Sequence, residues 1–489
     1  MPHPHPTGRP PGWPLALLAF GSLITALDFT IVYVALPDMA RGVGFSQHAL
    51  QWVVSAYAIA YGGFLLLGGR LADVAGRRRM LVLGLTLFGA ASLLGGLAGG
   101  PAQLIAARVL QGLGAAVVFP ATLSLVGTLF AEGRERNRAM TVWASAGAVG
   151  LSLGALLGGL LTEAVGWQGV FFVNVPLVAL AVAGAFPLLP PDGPRERGRP
   201  LDLPGALAAT AGATLLVLAV AQAPEVGWGA PAVVAAGALA VALLAAFVAI
   251  EARGASPLMP LRLLRVRGLP AALSVIFAFG LTLQAFPYFL TLYFQQVLGF
   301  SALEGGAAFL GPTLAITSGN LLADRLVARV GTRATLIAGM AVGIGGGLLL
   351  SAQMTPDATY LAVLAGIVLT GLGMGLIFPA MFIAATAGVA PHEQGVASGM
   401  ASTALQVGAG VGLALLVGIA TDGLDGLHGE PLRAATADNL ATTVRVLAVG
   451  ALLGIAAALS LPRRTGGPPA AGAAGGPPAA EREAARAGA

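Results

Sequence analysis

Read as a succession of apolar and polar positions, the chain alternates long hydrophobic stretches with short polar ones. About 20 apolar residues carry a helix across the hydrocarbon core. Fourteen stretches reach that length: residues 14–36, 49–69, 80–99, 102–130, 139–162, 169–189, 203–222, 230–250, 269–291, 303–323, 334–353, 360–385, 395–420 and 440–461. The pattern predicts helices throughout, and an all-α polytopic membrane protein. The polar punctuation is uneven. Residues 190–200 and 251–268 are Pro/Arg-rich connectors, and the run 257–267 is expected to form a short amphipathic helix along the interface. Residues 1–13 form a polar tail. The Pro/Gly/Ala-rich residues 462–489 have the composition of a disordered tail.

An internal repeat organises these helices. Residues 109–121 (VLQGLGAAVVFPA) match 368–380 (VLTGLGMGLIFPA) at 8 of 13 positions. Gly112, Gly114, Phe119 and Pro120 align with Gly371, Gly373, Phe378 and Pro379. The seventh and eighth helices have no counterpart in this repeat. The order is therefore six, two, six: a first bundle over 14–189, a linker with two added helices over 190–268, and a second bundle over 269–461. Repeats flanking a midplane site are how secondary transporters are built. The repeat is not exact: Ile367 and Thr370 stand where the first copy has Arg108 and Gln111.

Composition narrows the function. Of 489 residues, 57% are hydrophobic and 10% charged, far too few charges for a soluble surface. Cysteine is absent, and the histidines (His3, His5, His48, His392, His428) fall in tails or loops. Thiolate, haem and zinc chemistry in the bilayer therefore have no ligands, and no cofactor is expected. All 26 basic residues are arginines, and 22 lie in one alternating set of loops and tails. That is the positive-inside pattern, so the net charge of +5 marks a membrane orientation rather than a nucleic-acid surface. It places both termini on the cytoplasmic side of a cell membrane. The first stretch is long and contains Asp28, so it is read as a span rather than a cleaved signal.

Asp28, Arg108 and Arg445 stand inside apolar runs, Asp28 being the one acid well inside such a run. Asp28 lies nine residues before Pro37 at the outer end of the first helix, and Arg108 lies early in the fourth. At 1.5 Å per residue both sit about 10 Å deep, where charge is costly unless paired or wet. Two readings stay open: a static ion pair joining helices one and four, or a pair whose separation changes with conformation, so that Asp28 gains and loses a proton. Gln111 either hydrogen-bonds across a cavity or packs helices. Tyr57, Tyr61, Phe119, Gln284, Tyr288 and Phe378 are candidates for an amphipathic substrate cavity, with interface and packing roles as the alternative. Gly150, Gly154, Gly158 and Gly159 make a bare face on the fifth helix, for packing against the other half or for bending as a gate. In the loop Gly69–Arg79, Asp73 sits among Arg77, Arg78 and their neighbours beside Gly69 and Gly76; Asp324 and Arg333 repeat the spacing in the second half. This is either cationic anchoring or a conformational latch.

These motifs together resemble the major facilitator superfamily, and within it the fourteen-helix drug:proton antiporter branch. Gly69–Arg79 resembles the loop signature, and Arg108-Val-Leu-Gln-Gly-Leu-Gly114 that of helix four. Leu27–Pro37 is similar to the helix-one signature, Gln51–Tyr57 to the opening of helix two, and Phe172–Pro176 to a stretch of helix six. The resemblance covers nearly all of 14–461. It implies the major facilitator fold with two inserted helices, alternating access, and a proton-coupling role for Arg108. Departures include Ala155 where the helix-five signature has proline, and Tyr33 where the helix-one signature has asparagine.

The resulting expectation is a proton-coupled exporter of amphipathic small molecules, drugs or a self-made metabolite, acting as a monomer with lipid, substrate and protons as its partners. Without lysine no GxxxxGK phosphate loop exists, so an ion gradient must drive transport. Uptake by symport or facilitation is the alternative. A membrane-embedded enzyme is remote, because Asp28 alone is available at depth.

Overall fold

The structure is a computed structural model that describes residues 12–130, 134–192, 202–254, 257, 259–390, 393–424 and 426–462. Its long helical segments are α1 (Gly12–Val43), α2 (Trp52–Ala75), α3 (Arg77–Gly96), α4 (Pro101–Leu129), α5 (Arg134–Val165), α6 (Gly169–Leu188) and α7 (Leu203–Val226). They continue with α8 (Pro231–Arg253), α9 (Leu269–Val297), α10 (302–330, interrupted at Phe309), α11 (Thr332–Gln353), α12 (Tyr360–Thr386), α13 (Gln394–Ala420) and α14 (Gly429–Leu459). No strand occurs among the described residues. Among the described residues, 11 helices pass as membrane-crossing by length and apolarity, and 12 if the two pieces of α5, bent by 42°, count as one. Of the other two of the expected fourteen, α2 runs over Trp52–Ala75 with an apolar stretch that includes Trp52–Leu65, and α10 is broken near its start and carries Asp324, Arg325 and Arg329.

Glycine dictates how these helices meet. On α4, a side chain at Gly112 would come within 2.5 Å of the Tyr57 carbonyl on α2, and one at Gly114 within 2.9 Å of the Gly84 carbonyl on α3. In the second copy, Gly371 meets the Pro312 carbonyl on α10 at 3.0 Å, and Gly373 the Gly339 carbonyl on α11 at 2.6 Å. The duplicated sequence thus encodes duplicated packing: α4 lies between α2 and α3 as α12 lies between α10 and α11. Without side chains between them, backbones approach closely enough for dispersion to replace the missing hydrophobic drive in lipid.

The inserted pair has its own place. α7 lies in the seam between α2 and α13, with Val217 and Ala213 packed among Ile59, Val411 and Ala414. α8 packs chiefly on α7, and its Val234, Leu239, Val241 and Val248 point outward.

Three expectations need correcting. Among the described residues of 257–267 the helical part is a 3-10 turn, Leu261–Arg265, pinned by buried Leu263 and by an ion pair from Arg262 to Glu393. α14 begins at Gly429 rather than 440, because its polar first turns are bound to protein: Arg433 donates to the Val297 carbonyl (2.9 Å) and Asn439 to the Asp422 carbonyl (2.7 Å). α9 is not one continuous helix. It breaks at Thr282, passes through a 3-10 turn at Leu283–Ala285, and ends in a π turn, Tyr293–Val297. Pro287 explains the break, since its ring excludes the carbonyl four residues earlier and it donates nothing to it.

Candidate functional site

The first half buries one polar cluster, and four helices supply it. α1 brings Asp28, α4 brings Arg108 and Gln111, α6 brings Asn174, and α3 brings Ser92. Arg108 is 2% exposed; Asp28, Gln111, Asn174 and Ser92 are fully buried. The guanidinium donates to Asp28 Oδ2 (2.8 Å), to Gln111 Oε1 (2.9 Å) and to the Val53 carbonyl on α2 (2.8 Å). Its face lies over the Tyr57 ring, 4.3 Å from the centroid. Asp28 Oδ1 accepts from Gln111 Nε2 (3.1 Å) and Asn174 Nδ2 (2.7 Å). Gln111 Nε2 also donates to Ser92 Oγ (2.8 Å), which donates to the Phe88 carbonyl (2.8 Å).

Each contact has a local cause. Asp28 and Arg108 lie at equal depth on adjacent helices, as their distances from the helix ends predict, and here they meet. Gly154 and Gly158 on α5 hold α1 in place: side chains there would come within 2.5 Å of the Leu27 carbonyl and 2.6 Å of the Ile31 carbonyl, the two turns that frame Asp28. Gly150 does the same at Leu23 (2.5 Å). These three therefore face helix α1 of their own half. Of the four candidates only Gly159 meets the other half, at the Ala302 carbonyl (2.6 Å). The difference is one of helix phase: residues 150, 154 and 158 share one face, and residue 159 is turned away from it.

The candidate cavity residues separate into three places. Gln111 belongs to the buried cluster. Tyr57, Tyr61 and Phe119 form part of an aromatic ribbon, Tyr33–Phe29–Tyr57–Tyr61–Phe119–Trp143, with successive centroids 5.9, 6.4, 6.0, 6.3 and 5.2 Å apart. Gln284 and Tyr288 line a cavity of about 20 Å³ with Phe29, Tyr33, Ser55 and Gln406, room for about one water. Tyr288 also walls a larger cavity of about 320 Å³, lined by Asp38, Arg41, Gln295, Gln296 and Thr421 near Pro37. Phe378 is exposed on α12 against Phe279 and Phe382, away from the others.

In the cationic loop the side chains of Asp73 and Asp324 lie outside the described residues. Gly69 is half-buried, and a side chain there would come within 3.6 Å of Pro120; Arg77 is half-buried. Gly76 and Gly331 take φ of 106° and 86°, a region that costs glycine nothing and lets the chain turn sharply between helices. Arg78 donates to the Leu189 carbonyl (3.1 Å) at the end of α6, and Arg333 to the Leu461 carbonyl (3.3 Å) past the end of α14. Each half thus ties this loop to the end of its own last helix. Asp192 adds a cap in the first half, accepting from the Arg78 and Arg79 amides (both 2.9 Å).

Sequence reasoning missed Asn174, Ser92 and Asp192 as participants. A signal existed for Asn174: it is the one polar side chain in the apolar run GVFFVNVPLVALAVAGAF, the same criterion that singled out Arg108. Chemically, the cluster offers one carboxyl able to take a proton and one cation that does not lose its charge.

The pattern of the Major Facilitator Superfamily matches residues 18–413. The chain belongs to the major facilitator superfamily. It is 42% identical over 457 residues to the puromycin resistance protein of Streptomyces alboniger, covering 90% of this chain and 89% of that one. It is 41% identical to the cephamycin export protein of Amycolatopsis lactamdurans, covering 85% and 86%. Among solved structures, a D-xylose–proton symporter matches with a TM-score of 0.65 at 13% identity, covering 92% of this chain and 97% of that one. That last likeness concerns the fold alone. This major facilitator protein is thus a transporter whose two copies of the helix-four motif share a scaffold, and whose buried charge sits in the first copy.

Proposed function

We propose that this protein is a proton-coupled exporter of amphipathic, antibiotic-like small molecules. Two six-helix halves, 14–189 and 269–461, rock about a midplane site and expose it to one side and then the other. The carrying observation is the fully buried Asp28–Arg108 pair at 2.8 Å. An uncompensated buried charge is costly, so a conformation that draws α1 away from α4 favours a proton on Asp28, and one that rejoins them favours its release. Proton loading is thereby linked to conformation. The aromatic ribbon and the cavities around Gln284 and Tyr288 supply apolar surface with few polar groups, which suits an amphipathic cargo. Relatives named for resistance and export support the outward direction. The Arg-rich loops and both termini face the cytoplasm of a cell membrane, the chain works as a monomer, and the Arg78 and Arg333 ties brace the loops during rocking.

The test uses inverted membrane vesicles with an imposed pH gradient of either sign, and puromycin and a cephamycin as first cargoes. Substrate accumulates only when protons leave the vesicle as substrate enters. Asp28→Asn transports down the substrate gradient but ignores the pH gradient. Gradient dependence unchanged in Asp28→Asn overturns the coupling. Accumulation under the opposite gradient overturns export in favour of symport, a reading that Ala155 in the helix-five signature keeps in play.

A further inference from the structure

We propose that Asn174 is the positioning residue that lets Asp28 hold a proton: its carboxamide donates to the carboxylate and, turned over, accepts from the carboxylic acid. This rests on the proton-coupling reading of the same site. A buried carboxyl that cycles between charged and neutral forms needs a neighbour suited to each. The charged form needs donors. The neutral form needs one acceptor for its O–H.

Of the three described residues hydrogen-bonded to Asp28 through its carboxylate, one can serve both. Arg108 donates and never accepts. Gln111 is held at both ends, its Oε1 by Arg108 (2.9 Å) and its Nε2 by Ser92 Oγ (2.8 Å), so turning its amide would set N–H against N–H. Asn174 is tied at one end. Its Nδ2 donates to Asp28 Oδ1 at 2.7 Å, and its Oδ1 has no partner among the described residues although the residue is fully buried. Half a turn about Cβ–Cγ exchanges the two atoms and brings the amide oxygen to Asp28 Oδ1 at much the same distance, within the range of an O–H···O bond. A hydronium ion gives up one O–H bond as its proton bonds to a lone pair on Asp28 Oδ1, leaving neutral water. The new O–H donates to Asn174 Oδ1, Gln111 keeps its place, and the cluster goes from neutral to a single positive charge on Arg108. The titratable groups that act on Asp28 are Arg108 from α4 and Tyr57 from α2, while Tyr33 from α1 acts on Arg108; α6 supplies the uncharged Asn174 to Asp28, and α3 supplies the uncharged Ser92 to Gln111.

The test is infrared difference spectroscopy of the purified, lipid-embedded protein between high and low pH. A carboxylic C=O band lost in Asp28→Asn identifies the protonated Asp28. In Asn174→Leu, which neither donates nor accepts, that band moves to higher frequency; in Asn174→Ser, whose hydroxyl does both, it stays near its original position. Proton-driven export falls about tenfold in Asn174→Leu, the equivalent of one hydrogen bond, and is restored in Asn174→Ser, while downhill substrate flux persists in both. Asn174→Ala replaces the leucine arm if that variant does not fold. A band at the same frequency in all three proteins overturns the role of Asn174 and leaves coupling intact. Absence of any Asp28 band in the unmodified protein overturns both.

Discussion

Arg108→Leu is the sharpest perturbation of the buried cluster. It removes three hydrogen bonds of 2.8–2.9 Å and a guanidinium stacked 4.3 Å above Tyr57. Asp28 is left fully buried with two neutral donors, Gln111 and Asn174. Breaking a buried pair from one side costs about 3–5 kcal/mol, because the remaining charge is uncompensated. Asp28→Asn is gentler: its amide oxygen still accepts from Arg108, and the loss is about 1–2 kcal/mol, that of a charge-assisted bond reduced to an ordinary one. The double variant removes both charges. If the pair interacts as its geometry implies, the double variant costs far less than the sum of the singles, with a coupling energy of about 3 kcal/mol. Equilibrium unfolding in mixed micelles, followed by fluorescence of the 5 tryptophans, measures all four corners of the cycle. Additive costs, or an Arg108→Leu loss below about 1 kcal/mol, would mean that water or lipid headgroups already compensate Asp28 and that the cluster is not the closed system described above.

The remaining predictions use the same unfolding assay. Gly154→Val sets a side chain within 2.5 Å of the Leu27 carbonyl and costs about 1–3 kcal/mol by overpacking, whereas Gly127→Ala, with nothing within 4 Å, is neutral or stabilising by about 0.5–1 kcal/mol; equal effects would contradict the α1–α5 contact. Asp192→Ala loses the two amide bonds at the start of α3 and costs about 1 kcal/mol, with Asp192→Asn in between. Tyr57→Leu removes the ring over Arg108 and costs about 1–2 kcal/mol beyond Tyr57→Phe, which keeps the ring; no difference between the two would remove the cation–π contact from the account.

Much of this was legible in sequence because a membrane simplifies the problem. A helix in lipid satisfies its own backbone, so apolar length marks each element, and the repeated VLxGLG…FPA marks the duplicated scaffold. Asp28 and Arg108 were legible because charge in an apolar run demands a partner. Uncharged polar groups were harder. Ser92 passes as an ordinary residue of an apolar helix until the fold brings it to Gln111, and Asn174, although it is the one polar side chain of its run, gives no sign of its partner until the fold brings it to Asp28. The break in α9 is written locally, in Pro287, but a proline can bend a helix gently or interrupt it, and only packing decides which. The α14 start was misread because its first turns bond to Val297 and Asp422, which no count of apolar residues reveals. The direction of the α5 glycines depended on helix phase, and phase is fixed by the partner rather than by the glycines.

The two halves share a frame and differ in what the frame carries. In the first, α1 runs unbroken from Gly12 to Val43, and its carboxylate is gripped from three sides. In the second, the equivalent positions on α12 are Ile367 and Thr370, both buried, with the threonine hydroxyl satisfied within its own helix at the Gly366 carbonyl (2.8 Å). Nothing there needs a charged partner, and α9, packed so closely on α13 that a side chain at Gly408 would come within 2.5 Å of the Phe277 carbonyl, is free to be discontinuous. A buried ion pair tolerates little distortion, since its stabilisation depends on geometry; a helix broken at 282–285 and loosened into a π turn at 293–297 absorbs changes of angle at small cost. On the proposed reading, the stiff charged half senses the proton and the compliant neutral half accommodates the change of shape. The division follows from placing one costly charge pair in one copy of a duplicated scaffold, because the copy relieved of it no longer has to hold its first helix straight.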